Sequence, residues 1–137
     1  MAVDNVIQYI TIASTGNATD FGDVSVARNS ISGCSSSTRA VWAGGNDSSG
    51  NVIDYVTIAS AGDATDFGDL TSVANDSSGG TSNKIRGLFA KGGTPSRSAA
   101  IDYITIATTG NAADFGDLSV ARNFNGALSD GNGGLSA

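Results

Sequence analysis

The stretch "IDYVTIASAGDATDFGDL" at residues 53–70 occurs three times in this chain with few changes. The other copies are "IQYITIASTGNATDFGDV" at 7–24 and "IDYITIATTGNAADFGDL" at 101–118. Their tyrosines lie 46 and 48 positions apart, and self-similarity at such a period is the signature of a repeat architecture. The chain is therefore predicted to be a single domain, 1–137, built from repeats. The three repeats are about 7–52, 53–100 and 101–137.

Each repeat is predicted to contain four short β-strands. The stretch 53–60 is β-branched and apolar on both faces, which is typical of a strand between two neighbouring sheets. A Gly/Asx turn follows, and a second strand, "ATDFGDL" at 64–70, carries one large aromatic residue. A small-residue strand and the apolar strand "TRAVWAGG" at 38–45 complete the unit. Abundant turn formers and the absence of glutamate favour an all-β fold over a helical one.

Composition and charge exclude several classes of function. The net charge is -6 and lysines and arginines form no cluster, so nucleic-acid binding is not expected. The chain has no histidine and one cysteine, which excludes a Ser-His-Asp triad, an intramolecular disulfide and a cysteine-rich zinc site. We therefore expect no enzyme activity, no catalytic residue, no metal and no cofactor. No apolar run of membrane-spanning length and no signal peptide occur, and the location stays open between the cytoplasm and a virion.

The order of these elements resembles the kelch repeat of β-propellers. The resemblance is carried by Arg28, "AVWAGG" at 40–45, "IDY" at 53–55 and Phe67. It implies propeller blades of four antiparallel strands, in which a glycine pair ends the second strand and a tyrosine lies in the third. Where kelch blades have a tryptophan in the fourth strand, this chain has Phe21, Phe67 and Phe115. Repeats of this Ser/Thr/Gly-rich kind are also similar to those of phage tail-fibre and marine microbial proteins.

One residue in each repeat is a candidate for ligand binding at the rim of a central channel. These residues precede the small-residue strand, and they are Arg28, Asn75 and Arg122. Asn75 is interpreted as the replacement for the arginine of the other two repeats. The alternative interpretation is that the arginines form structural ion pairs with nearby aspartates.

Three other features have both a functional and a structural interpretation. Asn17, Asp20 and Asp23 offer oxygen ligands for calcium, but a calcium site needs about six to eight oxygens and this segment also forms a strand. A turn role for these aspartates is therefore favoured. Trp42 lies in an apolar strand, which favours core packing over stacking on a sugar. Cys34 is interpreted as a small buried residue rather than a redox centre.

The number of repeats predicts an assembly. A blade buries its two faces only against neighbouring blades, and known propellers have about four to eight of them. Three blades per chain do not close a ring, whereas two chains supply six. The prediction is a C2 homodimer in which the chain ends of the two protomers exchange strands to complete a blade at each seam.

Three functions remain open on the sequence alone. The first is a non-enzymatic binding or structural module of phage or microbial origin, whose ligand is a glycan or another protein. The second is a propeller-type lyase or hydrolase that uses Asp and Arg around the channel, and the third is a partial propeller fragment with no selected ligand. The first is preferred, because the repeats show no asymmetric cluster of Asp, Arg and Tyr. Its ligand would be recognised by the divergent loops 44–51 and 92–100.

Overall fold

The computed structural model describes residues 3–46, 49–76, 79–93 and 96–129. These residues contain three antiparallel sheets and no helix, so the prediction of an all-β chain is confirmed. Sheet I consists of β1 (Val6–Tyr9) and β2 (Thr19–Asp23). Sheet II consists of β3 (Ser32–Ser35), β4 (Arg39–Ala43), β5 (Val52–Thr57) and β6 (Thr65–Asp69). Sheet III consists of β7 (Gly80–Ser82), β8 (Arg86–Ala90), β9 (Ala100–Thr105) and β10 (Ala113–Asp117).

Sheets II and III are meanders in which each strand pairs with the next one along the chain. The predicted unit of four short strands is therefore present in full in these two sheets. Sheet I contains the strands that correspond to the third and fourth strands of sheets II and III. In the described part of the chain, no helix has the length and apolarity needed to cross a membrane.

Each contact between neighbouring sheets joins one face of the first sheet to the opposite face of the second. We call the face turned towards the next sheet in the chain the forward face, and the opposite one the backward face. Val41, Ile53 and Phe67 on the forward face of sheet II form a buried cluster with Phe89 and Ile104 on the backward face of sheet III. Side chains alternate between faces along a strand, so a sheet covered on both sides needs apolar residues at successive positions.

A smaller cluster joins sheets I and II. Ile7 and Val24 pack against Val56 on the backward face of sheet II, and Phe21 and Trp42 pack around them. Trp42 is half-buried in this contact. The prediction that it packs in the core is confirmed.

The first strands of sheets II and III lie side by side. Ser82 donates from Oγ to the Ser35 carbonyl oxygen at 2.7 Å, and Ser129 donates in the same way to Ser82 at 2.6 Å. Both pairs are 47 residues apart, so Ser129 has the place in the third repeat that Ser35 has in the first. A Cβ atom on Gly80 would lie 2.4 Å from the Gly33 carbonyl oxygen, which explains why small residues line this contact.

Candidate functional site

A buried ion pair fixes the linker between sheets I and II to sheet II. Arg28 Nη1 lies 2.7 Å from Asp54 Oδ2, and both side chains are fully buried. Arg28 also donates from Nε to the Gly44 carbonyl oxygen at 2.8 Å, and Ser25 Oγ donates to Asp54 Oδ1 at 2.6 Å. Of the two interpretations of Arg28, the structure shows the ion pair. A guanidinium held in this way is not exposed to a ligand.

Sheet III has an equivalent site made from different residues. Asp102 is buried in the third strand, as Asp54 is in sheet II. It accepts hydrogen bonds from the Thr71 backbone N–H at 2.8 Å and from Thr71 Oγ1 at 2.9 Å. The cation is Lys91, whose Nζ lies 3.1 Å from Asp102 Oδ1. Both sites therefore combine a buried strand carboxylate, a linker hydroxyl and one cation.

Sequence reasoning missed Lys91, because the glycine pair that ends "TRAVWAGG" at 44–45 has an apparent counterpart in the pair at 92–93, which hides Lys91 before it. The strand register instead aligns Ala43 with Ala90, since each lies opposite the isoleucine of the next strand. Lys91 therefore follows β8 where Gly44 follows β4. The spacing between the arginine and the aromatic residue is the same in β4 and β8. An alignment on these residues pairs Gly44 with Lys91 just after the two strands, and this is the signal in the sequence that identifies Lys91.

The linker geometry also corrects the residue matched to Arg28. The described non-glycine residues with positive φ are Ser30, Asp76 and Phe124, at 56°, 53° and 55°, and they mark the same point of three linkers. Two residues before each of these points stand Arg28, Ala74 and Arg122. Alanine, not Asn75, thus occupies the arginine position of the second linker, and Asn75 itself is half-buried.

Arg122 lies on the surface of the third linker. Its Nε donates to the Val120 carbonyl oxygen at 3.4 Å, the contact that Arg28 makes to Val26 from Nη1 at 3.1 Å. Arg122 and Ser119 line an open cavity of about 570 Å³ beside sheet III. The three candidate residues lie in three separate linkers and do not converge on one site. For Asn75 and Arg122 a role in binding a ligand stays a prediction.

A turn of sheet II docks on the edge of sheet I. The turn joins β5 to β6, and its Gly62 N–H donates to the Phe21 carbonyl oxygen at 2.7 Å. Ala64 N–H donates to the Asp23 carbonyl oxygen at 2.7 Å, and the Asp23 N–H donates back to Asp63 Oδ1 at 3.1 Å. We call this Gly-Asx-Ala segment the docking turn.

The same three hydrogen bonds join sheets II and III. Gly110 N–H donates to the Phe67 carbonyl oxygen at 2.8 Å, and Ala112 N–H donates to that of Asp69 at 2.8 Å. The Asp69 N–H donates to Asn111 Oδ1 at 3.1 Å. The chain therefore makes one docking contact twice, with the same atoms at equivalent positions.

The forward face of sheet III is partly uncovered in the described chain. Phe67 is 3 % exposed, whereas the equivalent Phe115 is 50 % exposed. A Cβ atom on Gly68 would lie 2.5 Å from the Gly110 carbonyl oxygen of the docking turn, but one on Gly116 would meet nothing within 4 Å. The edge of β10 thus has the groups that accept a docking turn, with no described turn against them.

The backward face of sheet I is open as well. Ile10 is 61 % exposed, whereas the equivalent Val56 and Ile104 are 5 % and 3 % exposed. The docking turn of sheet I is the Gly-Asn-Ala segment at 16–18, and a Cβ atom on Gly16 would meet nothing within 4 Å. The two uncovered faces are therefore the two complementary halves of the internal contact.

An Arg-Tyr-Phe stack adds to the contact between sheets II and III and was not predicted. The Arg39 Cζ atom lies 4.4 Å from the centroid of the Tyr55 ring, which meets the Phe67 ring edge-on at 5.8 Å. Arg39 also donates from Nη1 to the Ile106 carbonyl oxygen of sheet III at 2.8 Å. Arg86 stacks on Tyr103 in the same way, so the uncovered face carries these groups too.

The surroundings of Cys34 and of Asp66, an aspartate of the repeated "DFGD" motif, fit a structural role. Among the described residues, no three His, Cys or Asp side chains are placed to hold a metal ion. Asp66 Oδ1 accepts the Gly68 backbone N–H at 3.2 Å, as a turn residue does. Burial raises the pKa of the Cys34 thiol to about 12, so the thiol is protonated near neutral pH and is a poor nucleophile.

We expect thermal melts of the protein with and without a chelator to coincide, because the Asp66 carboxylate bonds to backbone in place of a metal. Re-addition of calcium to the chelated sample is the control. A melting temperature lower by about 10 °C or more in chelator, restored by calcium, would show that a bound ion stabilises the fold.

Searches with protein-family models and against curated proteins find no match for this chain. The kelch resemblance therefore rests on the residues quoted for it.

Proposed function

We propose that this chain is a non-enzymatic structural or binding module whose sheets are the blades of a β-propeller, closed into a six-bladed ring by a second copy. One observation carries the proposal. The chain makes the same docking contact twice, and its described residues leave the two complementary halves of a third contact uncovered. A contact of this head-to-tail kind forms a ring when its rotation closes.

The two halves match group by group. In the proposed seam, Phe115 of one copy packs on the backward face of sheet I of the other, where Ile10 is exposed. The docking turn 16–18 of that copy then donates to the carbonyl oxygens of Phe115 and Asp117. Apolar area removed from water contributes about 25 cal/mol per Å², so covering these faces favours the assembly.

The count of sheets supports two copies. Each chain has two complete meanders, and sheet I supplies the third and fourth strands of another. Ser129 contacts Ser82 as Ser82 contacts Ser35, and in the proposal its segment forms a first strand that joins sheet I of the second copy. Residues 130–137, which the sequence predicts to take part in this strand exchange, lie outside the described residues. Two chains then supply six blades, within the range of about four to eight that close.

In this proposal the ligand is a glycan or another protein, bound by the loops between second and third strands. These loops differ between repeats, while the third and fourth strands of the sheets are nearly identical. A rigid scaffold with variable loops is a common arrangement for recognition. A glycan-array screen of the purified assembly tests the ligand class.

Light scattering should report a mass of about 27 kDa, twice the 13.6 kDa of the chain. Gly116→Ala should lower that mass to the monomer, because its Cβ would lie where the docking turn of the second copy approaches. At the equivalent Gly68, a Cβ would lie 2.5 Å from the turn.

Gly62→Ala is the matched control for backbone strain. Gly62 and Gly116 have φ of +155° and +140°, and neither has an atom of the described chain within 4 Å of its Cβ position. Both substitutions should therefore lower stability by a similar amount, about 1–3 kcal/mol, while Gly62→Ala keeps the dimer. A monomeric intact protein, or a dimer unaffected by Gly116→Ala, would refute the proposed seam.

A further inference from the structure

The third linker carries an incomplete copy of the buried ion-pair site. In the two complete sites, Ser25 and Thr71 bond to the strand carboxylate and a cation neutralises it. Ser119 and Arg122 hold the equivalent positions in the third linker. Arg122 makes the same kind of contact to its own linker as Arg28 does.

The residue that would complete this third site is not an acid. In the proposed ring, the third linker leads to the sheet that contains β1 of the second copy. The register shift between Ile7 and Gln8 matches the shift between Ile53 and Asp54, so Gln8 has the place of the buried Asp54. We infer that each seam of the ring binds a small oxyanion, held by Arg122 and Ser119 of one copy and Gln8 of the other. This inference rests on the proposed ring closure.

Charge is the reason for the anion. Arg28 is buried against a carboxylate, and burying Arg122 in the same way against an amide leaves a guanidinium without a counter-charge. Gln8 supplies a dipole but no negative charge. A carboxylate or phosphate group supplies that charge and matches the paired N–H donors of a guanidinium.

The neighbouring carboxylates do not replace the missing one. Asp20 lies opposite Gln8 on β2, as Asp66 lies opposite Asp54. Among the described residues the ion pairs are Arg28–Asp54 and Lys91–Asp102, so the carboxylate of the fourth strand does not reach the cation in either complete site. Asp4, just before β1, accepts the backbone N–H of Asn5 at 2.9 Å.

The side chains at the uncovered face fit a small anion. The cavity of about 570 Å³ places Arg122 and Ser119 beside apolar residues of sheet III, among them Leu118. Both side chains donate hydrogen bonds, and the Arg122 guanidinium is the one charged group among the described residues that line the cavity. In the proposed ring the second copy covers this face, which leaves room for a compact anion rather than an extended ligand.

The test measures the dimer dissociation constant by dilution, in inorganic phosphate and in sodium chloride of the same ionic strength. Phosphate should tighten the dimer by about tenfold, the effect of one charge-assisted hydrogen-bonded contact. Acetate should act in the same direction, which would identify the shared oxyanion chemistry. Gln8→Asp should tighten the dimer in chloride and remove the response to phosphate, because it restores the carboxylate of the complete sites.

Arg122→Gln is the control for general salt effects, and the dimer of this variant should not respond to phosphate. A wild-type dimer that is equally tight in phosphate and chloride overturns the anion site but leaves the ring intact. A phosphate response that persists in Arg122→Gln also overturns it. A protein that is monomeric in every buffer refutes the proposed ring, and the anion site with it.

Discussion

Replacing Asp54 with alanine is expected to lower the free energy of unfolding by about 3–5 kcal/mol, because it leaves the Arg28 guanidinium buried without its counter-charge. Both side chains are fully buried and their nearest atoms lie 2.7 Å apart. Ser25 loses its hydrogen-bond acceptor in the same variant. Urea denaturation measures the effect, at one fixed protein concentration because the stability of an assembling chain depends on concentration.

Asp66 provides the matched control for this prediction. It lies opposite Asp54 on β6, but its side chain is exposed and bonds only locally to the Gly68 backbone among the contacts described. Asp66→Ala should therefore cost less than about 1 kcal/mol. The double variant Asp54→Leu with Arg28→Met removes both charges and should recover most of the lost stability. A loss below about 1 kcal/mol for Asp54→Ala would show that the ion pair does not stabilise the linker.

The third and fourth strands of each sheet were predictable, because their sequence pattern occurs three times in the chain. The tyrosine of the third strand and the phenylalanine of the fourth recur together, and each such pair makes an edge-on ring contact in the structure. Apolar residues at successive positions indicated a strand covered on both faces. Local propensity and burial agree along these segments, which is the condition under which a sequence pattern is reliable.

The contacts between sheets were not predictable, because most of their donors and acceptors are backbone groups. The Gly-Asx-Ala segments were interpreted as turns, which is correct, but no side-chain pattern identifies the edge on which a turn docks. Lys91 was missed for a different reason. One ion pair takes its cation from the linker, at Arg28, and the other from the end of a strand, at Lys91, so a position-by-position comparison finds only the first.

The candidate binding residues illustrate the limit of matching repeats by sequence alone. Arg28 is charged and precedes a strand, which fits a channel rim as well as a buried ion pair. Burial decides between these interpretations, and burial depends on how two sheets pack. Asn75 was interpreted as the counterpart of Arg28, whereas the backbone conformation of the linker aligns Arg28 with Ala74.

Phe67→Ala is expected to lower the free energy of unfolding by about 3–5 kcal/mol, the usual cost of truncating a buried aromatic residue. Phe67 is 3 % exposed and packs in the cluster between sheets II and III. The variant also loses the edge-on contact between Phe67 and Tyr55, whose ring centroids lie 5.8 Å apart. A chain that melts normally after this substitution would show that the residue does not hold the sheets together.

Phe115→Ala is the companion variant, because the same motif places Phe115 on the uncovered face at 50 % exposure. In a dissociated chain, this truncation should lower the free energy of unfolding by less than about 1 kcal/mol, because the phenyl group of Phe115 is already half exposed to water. In the proposed ring Phe115 is as buried as Phe67, so the variant should dissociate at concentrations where the unchanged protein is dimeric. Comparison of the mass and the melting temperature on dilution separates the two effects. Loss of stability with no change in mass would place Phe115 in the chain's own core, and no change in either would refute the seam.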